Sequence, residues 1–340
     1  MNAPTRSEFL ARRRNGIGGS EIAAILGLSK YKTPLDVYLS KVNDPEDVED
    51  EQSEPAYWGT VLEDIVAREY ALRSRARIQR VNAQIRHPEL PIAIANIDRA
   101  IVTPGSRARL DADGVLRGAD GLLECKTANQ FLAGEWGRDG DDEAVPVHYA
   151  AQGMWYLGVT GLDWIDYACL IGGQKFVTKR VHRDQPTIDS LFNTAREFWT
   201  RHVAARVPPE PVNAGDVLKL FPSDTGTSVE ANEEVLIAYN EAVALRARIK
   251  ADEEALESHT VALKAAMRDA ASITLNGRAI LTWKRAKDST KTDWKQTAHD
   301  LKGWMIDNGI EGGVDAVRAA IDANTETIDG TRRFVFVPIK

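Results

Sequence analysis

Apolar residues recur at helical spacing in some blocks of the chain and alternate with polar ones in others. In GIGGSEIAAILG, residues 16–27, Ile22, Ile25 and Leu26 fall on one side of a helix. Ser20 is the expected N-cap, since its hydroxyl can accept from an early helix N–H. A second helix is expected over 34–42. Trp58, Val61, Leu62, Ile65, Val66 and Tyr70 follow an i, i+3, i+4, i+7 pattern, which predicts an amphipathic helix over about 57–71. Alternation predicts a strand over 77–85, and two more are expected over 92–102 and 121–127. The segment between those two, TPGSRARLDADGVLRGAD, is turn-rich and reads as a hairpin or loop. A helix over 147–158, strands over 164–171 and 175–181 joined at Gly172-Gly173, and a helix over 186–207 complete this part.

The Pro-rich PPEPVNAGD then suggests a boundary, with one domain over 1–210 and an extension over 211–340. The extension opens with a long helix over 229–270. Leu245, Ile249, Leu256, Leu263 and Met267 form a partial heptad stripe on it, expected to pack on its own domain. Asn276-Gly277 signals a hairpin, and the chain ends in a β-like run, RRFVFVPIK. No internal repeat or low-complexity tract interrupts it.

Composition narrows the class. With 340 residues and 43% hydrophobic content, the chain can bury a sizeable core. It has no run of about 18 apolar residues and its N-terminus lacks an apolar signal region, so a cytosolic protein is expected. Its two cysteines, Cys125 and Cys169, cannot supply the four thiolates of an iron–sulfur cluster. Both lie in apolar runs and read as buried small hydrophobes. The net charge of -7 argues against a nucleic-acid coat protein, but the distribution is uneven. Basic residues cluster at Arg12, Arg13 and Arg14 and at Arg73, Arg75, Arg77 and Arg80; acidic ones gather in DPEDVEDEQSEP, expected to be a solvated loop.

One constellation carries chemistry. Asp98 ends the apolar run IANID, and Glu124 and Lys126 stand two apart in GLLECKTAN. In a strand, positions i and i+2 face the same side, so Glu124 and Lys126 project together. If Asp98 pairs beside them, two carboxylates can hold Mg²⁺ and a lysine can orient the attacking water. Glu63, on the amphipathic helix, is a candidate third carboxylate. Each has a plainer explanation: a strand-face ion pair for Glu124 and Lys126, an arginine partner for Asp98, simple exposure for Glu63. Leu122, Leu123 and Cys125 mark a buried strand, however, where Glu and Lys are costly unless they act together. The Gly-Gly-Ser helix start suits an anion, because free N–H groups and the positive dipole end meet there.

Five blocks stand in order: RRNGIGGSEIAAILGLSKYKTP, WGTVLEDIVAREY, ANIDRAIV, LLECKTAN and HYAAQGMWYLGVTG, over most of 12–162. With them the chain resembles the YqaJ-type phage recombinases, relatives of lambda exonuclease in the PD-(D/E)XK nuclease superfamily. The resemblance implies a mixed α/β fold, a restriction-endonuclease-like core with a central mixed sheet flanked by helices, followed by the helix-and-hairpin extension. It implies that Glu63, Asp98 and Glu124 bind metal, that Lys126 is the catalytic lysine and that Gln152 lies beside the site. It implies that Arg13 and Ser20 contact a 5′ phosphate, with Arg12 and Arg14 as alternatives to Arg13. The long Asp98–Glu124 spacing leaves Asp111, Asp113 and Asp120 as rivals to Asp98, which is preferred because it ends an apolar strand.

The implied activity is a Mg²⁺-dependent 5′→3′ exonuclease on double-stranded DNA ends, with two ions per site and Mn²⁺ able to substitute. Its single-stranded tails would serve phage-type recombination with a single-strand annealing protein, and the enzyme would be a homo-oligomeric ring in the bacterial cytoplasm, encoded by a phage or prophage. Two other readings stay open: an endonuclease using the same metals, and a non-catalytic DNA-binding scaffold built on the long helix. Trp136, in the segment after Lys126, is either part of a loop over DNA or a packing anchor.

Overall fold

A computed structural model describes residues 13–43, 53–137, 141, 144–284, 294–310 and 312–323. The chain divides into two compact units, Met1–Leu220 and Phe221–Lys340.

The first unit opens with helix α1 (Gly19–Ile25) and helix α2 (Pro34–Val42). Thr33 caps α2 by accepting from Asp36 N, while the Asp36 carboxylate takes the Thr33 N–H, and Pro34 pre-sets the first turn. Helix α3 (Glu54–Ser74) follows and ends at Arg75, which adopts the left-handed region at φ 57. Next come strands β1 (Arg77–Gln79), β2 (Ile85–Arg86), β3 (Ile94–Ala95), β4 (Arg99–Val102), β5 (Arg109–Leu110), β6 (Leu116–Arg117) and β7 (Gly121–Ala128). Helix α4 (Val147–Thr160) leads to the hairpin of β8 (Trp164–Ile171) and β9 (Lys175–His182). Helix α5 (Gln185–Phe198) continues into a π-helical stretch, Trp199–Ala204, and α6 (Ala214–Leu220) closes the unit. Asp216 of α6 is buried and accepts from the Thr33 hydroxyl at 2.9 Å, which ties the last helix to the second.

Five strands form the main sheet, in the order β1-β4-β7-β8-β9. β7 is central; it pairs antiparallel with β4 and parallel with β8 across the α4 crossover, so the sheet is mixed. Alternation along β7 sorts its side chains between two layers. Leu123 meets Val66, Ala67 and Tyr70 of α3, together with Ile101 and Ala168. Leu122 belongs to the larger core with Trp155 and Leu157 of α4 and Tyr167 of β8. The mixed sheet flanked by helices is the architecture expected from the sequence.

Two expected strands are each broken. Residues 77–85 form β1 and then β2; residues 92–102 form β3 and then β4. β2 and β3 pair with each other in a separate ribbon, while β1 and β4 join the main sheet. The break at 96–98 has a side-chain cause: Asp98 Oδ2 accepts from Cys125 N at 2.8 Å, a carboxylate standing where a ladder carbonyl would be. Asp98 therefore precedes β4 rather than ending a strand. Between β5 and β6, Asp111 Oδ1 takes the N–H groups of Asp113 and Val115, giving the small hairpin expected of this turn-rich segment.

The second unit contains the long helix α7 (Glu233–Met267), opened by Asn232, whose side chain accepts from Val235 N. Strands β10 (Ser272–Leu275) and β11 (Arg278–Thr282) form the hairpin, with Asn276 and Gly277 at φ 49 and 77, as a two-residue turn of this sequence requires. Helices α8 (Trp294–Asp307) and α9 (Gly313–Ala323) follow, unforeseen from the apolar pattern. Within α7, Leu245, Ile249, Leu256 and Leu263 are exposed and Met267 is buried, so the packing expected of the stripe is absent among the described residues. Arg12, the acidic stretch through 52 and the terminal RRFVFVPIK lie outside the described residues. Among those described, no helix is long and apolar enough to cross a membrane.

Candidate active site

Glu124 and Lys126 share the face of β7 that looks toward α4. The Lys126 ammonium donates to Glu124 Oε1 at 2.6 Å and to Gln152 Oε1 at 3.3 Å. Gln152, on α4, donates through Nε2 to the same Glu124 oxygen at 2.6 Å and to the Tyr156 hydroxyl at 3.0 Å. Lys126 also stands over the Tyr149 ring, 4.6 Å from its centroid. The other Glu124 oxygen, Oε2, is buried and has no hydrogen-bond partner. In the β4–β7 register Arg99 faces Leu123, which sets Asp98 alongside Glu124.

The charges of this cluster are coupled. Burial, and next the Glu124 carboxylate, push the Asp98 carboxyl well above its usual range, and Lys126 only partly opposes them. Burial alone would lower Lys126, but the carboxylates of Glu124 and Asp98 outweigh it and raise its pKa. Burial and the Glu124 charge also hold the Tyr156 phenol protonated far up the scale. Two adjacent carboxylates, one with a buried oxygen left open, are the described groups able to hold a cation here. Among the described residues, no three His, Cys, Asp or Glu side chains close into a ready metal cage.

Glu63 stands nearby but faces arginines. Its Oε1 accepts from Arg99 Nη1 at 2.6 Å and Arg80 Nη2 at 3.3 Å. Asp64 pairs with the same two arginines. Arg99 itself is buried beneath them. These pairs were missed from the sequence, where a charge beside an apolar run looks solvated.

Arg13 and Ser20 line the same cavity as Glu63 and Asp98, a cleft of about 580 Å³. Arg13 donates to the Ser20 hydroxyl at 3.2 Å. Gly18, not Ser20, is the N-cap of α1; Ser20 sits exposed in the first turn. Glu21, at the third helical position, reaches back so that its Oε2 takes the Gly18 N–H at 2.8 Å and fixes Gly18 as the cap. Glu21 is buried and pairs with Arg13 at 3.1 Å and Lys41 at 2.8 Å. Burial would raise its pKa, but Arg13 and Lys41 together bring it below the ordinary value. Gly19 lets α1 lie against α4: a Cβ there would meet the Tyr156 ring at 2.7 Å and Gln152 Cγ at 2.8 Å.

The rival carboxylates are engaged elsewhere. Asp111 pairs with Arg117 at 2.9 Å, and Asp120 accepts from the Thr103 hydroxyl at 2.5 Å. Neither they nor Asp113 line the cavity. Trp136 is buried against Tyr149, with ring centroids 5.8 Å apart, so it is a packing anchor. Cys169 is buried as expected; Cys125 is only half-buried, on the α3 face.

Residues 8–163 match the family model of the YqaJ-like viral recombinase domain. Over these residues the chain is similar to that family. The matched stretch holds Arg13, Ser20, Glu63, Asp98, Glu124, Lys126 and Gln152 within its bounds. The chain is 41% identical over 207 residues to the uncharacterized protein YqaJ of Bacillus subtilis strain 168, a match covering 60% of this chain and 59% of that protein. It therefore spans less than two thirds of this relative's length. An alkaline exonuclease from Laribacter hongkongensis superposes with a TM-score of 0.46 at 19% identity, over 59% of this chain and 93% of that one. A phage-related exonuclease from Haemophilus somnus 129PT gives 0.39 at 11% identity, over 56% and 96%.

Proposed function

We propose that the chain is a Mg²⁺-dependent deoxyribonuclease that degrades double-stranded DNA from its ends, 5′→3′, leaving single-stranded tails for phage-type homologous recombination. One observation carries the reading: a single cavity is lined by Arg13, Ser20, Glu63 and Asp98, with Glu124 beside Asp98 keeping a buried oxygen unpaired.

The donor set fits a hard divalent cation. Asp98 and Glu124 offer oxygen ligands side by side, and the buried Glu124 Oε2 lacks any other partner. One or two Mg²⁺ ions bound there, or Mn²⁺ in their place, would polarise the phosphoryl group, activate a water and neutralise the leaving oxygen. Lys126 holds Glu124 in place and offers a cation beside the position of the attacking water. Gln152 fixes both by bridging them. Glu63 supplies a third carboxylate on the cavity wall. Arg13, Ser20 and the positive end of α1 bind the terminal 5′ phosphate, and this anchoring gives the direction of digestion. In this reading the chain works as a homo-oligomeric ring on DNA and passes its product to a single-strand annealing protein.

The test compares linear duplex DNA, with and without 5′ phosphates, against covalently closed circles, in Mg²⁺ and in EDTA. Nucleotides should be released from linear ends alone, faster with the phosphate, and only with the metal. Glu124→Gln and Lys126→Ala should each lower the rate by about 10²–10⁴ without unfolding the protein. Cutting of the circle at a comparable rate would make it an endonuclease, and activity surviving both substitutions would place the chemistry elsewhere.

A further inference from the structure

The arginines at 73, 75 and 77 take no part in the cavity described above. Arg73 and Arg75 sit where α3 ends, on the sheet face opposite Glu124 and Lys126, whereas Arg77 alternates onto the other face with Val102. Trp164 and Asp166 of β8 face the same side as Phe176, Thr178 and Arg180 of β9, because Asp166 pairs with Arg180 and Leu170 with Phe176 in register. A second cavity, about 390 Å³, opens there among Tyr70, Ser74, Trp164, Thr178 and Arg180.

Arg180 is held in one geometry. Its Nε and Nη2 donate to Asp166 Oδ1 and Oδ2 at 2.7 and 2.9 Å, a two-point grip on a carboxylate that is only 5% exposed. Asp166 is in turn fixed by the Tyr70 hydroxyl at 2.5 Å. The guanidinium lies 3.8 Å from the centroid of the Trp164 ring. That ring is seated on Gly121, where a Cβ would come within 2.5 Å of it. One face of the guanidinium is thus covered and the rest looks outward, with the side chain 46% exposed. A second stack stands beside it, Arg73 over Phe176 at 4.6 Å. Arg75 occupies a left-handed helix end at φ 57, a place that favours glycine, so a charge is kept there against the backbone preference.

A rigid planar cation, with Arg73 nearby over Phe176 and paired with Glu69 at 2.6 Å, offers a stacking surface to a base and charge to its phosphates. We propose that this is a second nucleic-acid subsite, which takes single-stranded DNA with one base on the open face of Arg180 and phosphates on Arg73 and Arg75. That the nucleic acid is DNA rests on the nuclease reading above. Glu63 and the Tyr70–Ser74 stretch lie on one helix, 7 to 11 residues apart in sequence, or roughly 10–17 Å at 1.5 Å per residue. Roughly three to five stacked nucleotides cover that span.

The experiment measures anisotropy of a fluorescein-labelled oligothymidylate titrated with the full chain in EDTA. Arg180→Lys keeps the charge and loses the plane; binding should weaken about 5- to 20-fold. Arg75→Gly relieves the strained helix end, so the fold is kept; binding should weaken about 2- to 5-fold and the salt dependence should become shallower by about 0.7 in log–log slope. Both variants should hydrolyse bis(p-nitrophenyl) phosphate with Mg²⁺ at the wild-type rate, since that ester is too short to reach the subsite. Wild-type oligonucleotide affinity in both variants would overturn the proposal, as would equal weakening by Arg180→Lys on an abasic strand. Failure of the wild type to hydrolyse any phosphodiester would sink the nuclease reading alone, because the binding comparison is independent of turnover.

Discussion

Gly19→Ala tests the contact on which the cavity is built. The added methyl would lie 2.7 Å from Tyr156 Cε1 and 2.8 Å from Gln152 Cγ. Carbon atoms rest at about 3.5–4.0 Å, so α1 must retreat from α4 by roughly 1 Å or Gln152 must leave its rotamer. Overpacking of this kind costs about 1–3 kcal/mol. At roughly 2–4 °C per kcal/mol for a unit of this size, Tm should fall by about 2–12 °C. Activity should suffer further, because Gln152 is the amide that bridges Glu124 and Lys126. A displacement of about 1 Å in such a group lowers turnover by about 100-fold. Gly134→Ala is the control, since nothing lies within 4 Å of its Cβ position. Thermal melts followed by circular dichroism and the rate on linear duplex DNA give the two readouts. A Gly19→Ala protein melting within about 1 °C of wild type and cutting at the same rate would refute the close approach of the two helices.

Three further outcomes are expected. Because the Asp98 carboxyl is raised above 3.8 in the folded state, that state holds the proton more tightly than the unfolded chain, and stability is lost as pH climbs from near 4 through the raised value. Asp98→Asn removes this slope, so in EDTA its urea midpoint should exceed wild type at pH 8 and the gap should close near pH 4; an equal gap at both pH values would show that burial of the charge is not costly. Glu21→Gln leaves Lys41, whose side chain is 1% exposed, without its carboxylate, and should cost about 3–5 kcal/mol in urea unfolding, most of it recovered by adding Lys41→Met. Asn232→Ala should loosen the start of α7 by about 0.5–2 kcal/mol, read as faster amide exchange in its first turn, and unchanged exchange would remove the cap assignment.

The helices and the inner strands were legible because burial on one side leaves a period in the sequence. The spacing from Trp58 to Tyr70 announced α3, but of that stripe only Val66 and Tyr70 are buried while Trp58, Val61 and Ile65 are exposed, and the alternation around Leu122 and Leu123 put Glu124 and Lys126 on one face of β7. What the sequence hid were contacts between distant residues. The bond from Cys125 N to Asp98 joins residues 27 apart in sequence, and no local pattern signals the break it makes in the run 92–102. Ser20 looked like a cap because serine commonly is one; the helix is capped earlier, at Gly18, because Glu21 reaches back to the Gly18 N–H and is itself held by Arg13 and the distant Lys41. Arg99, the neighbour of Asp98 in sequence, reaches across to Glu63 and Asp64 on α3. Tyr156 stood within the HYAAQGMWYLGVTG block, and its hydrogen bond to Gln152, one helical turn earlier, was the accessible signal that went unread.

The position of β7 at the centre of the sheet constrains how the gene can change. Inserting one codon between Gly121 and Glu124 would invert the parity of everything after it, driving a carboxylate and an ammonium into the layer of Val66 and Tyr70 and bringing a cysteine round toward α4. Two inserted codons restore the parity but slide Glu124 roughly 7 Å past Asp98. Neither an odd nor an even indel is harmless, so variation in this stretch is confined to point replacement, while the β5–β6 hairpin just upstream is free to lengthen.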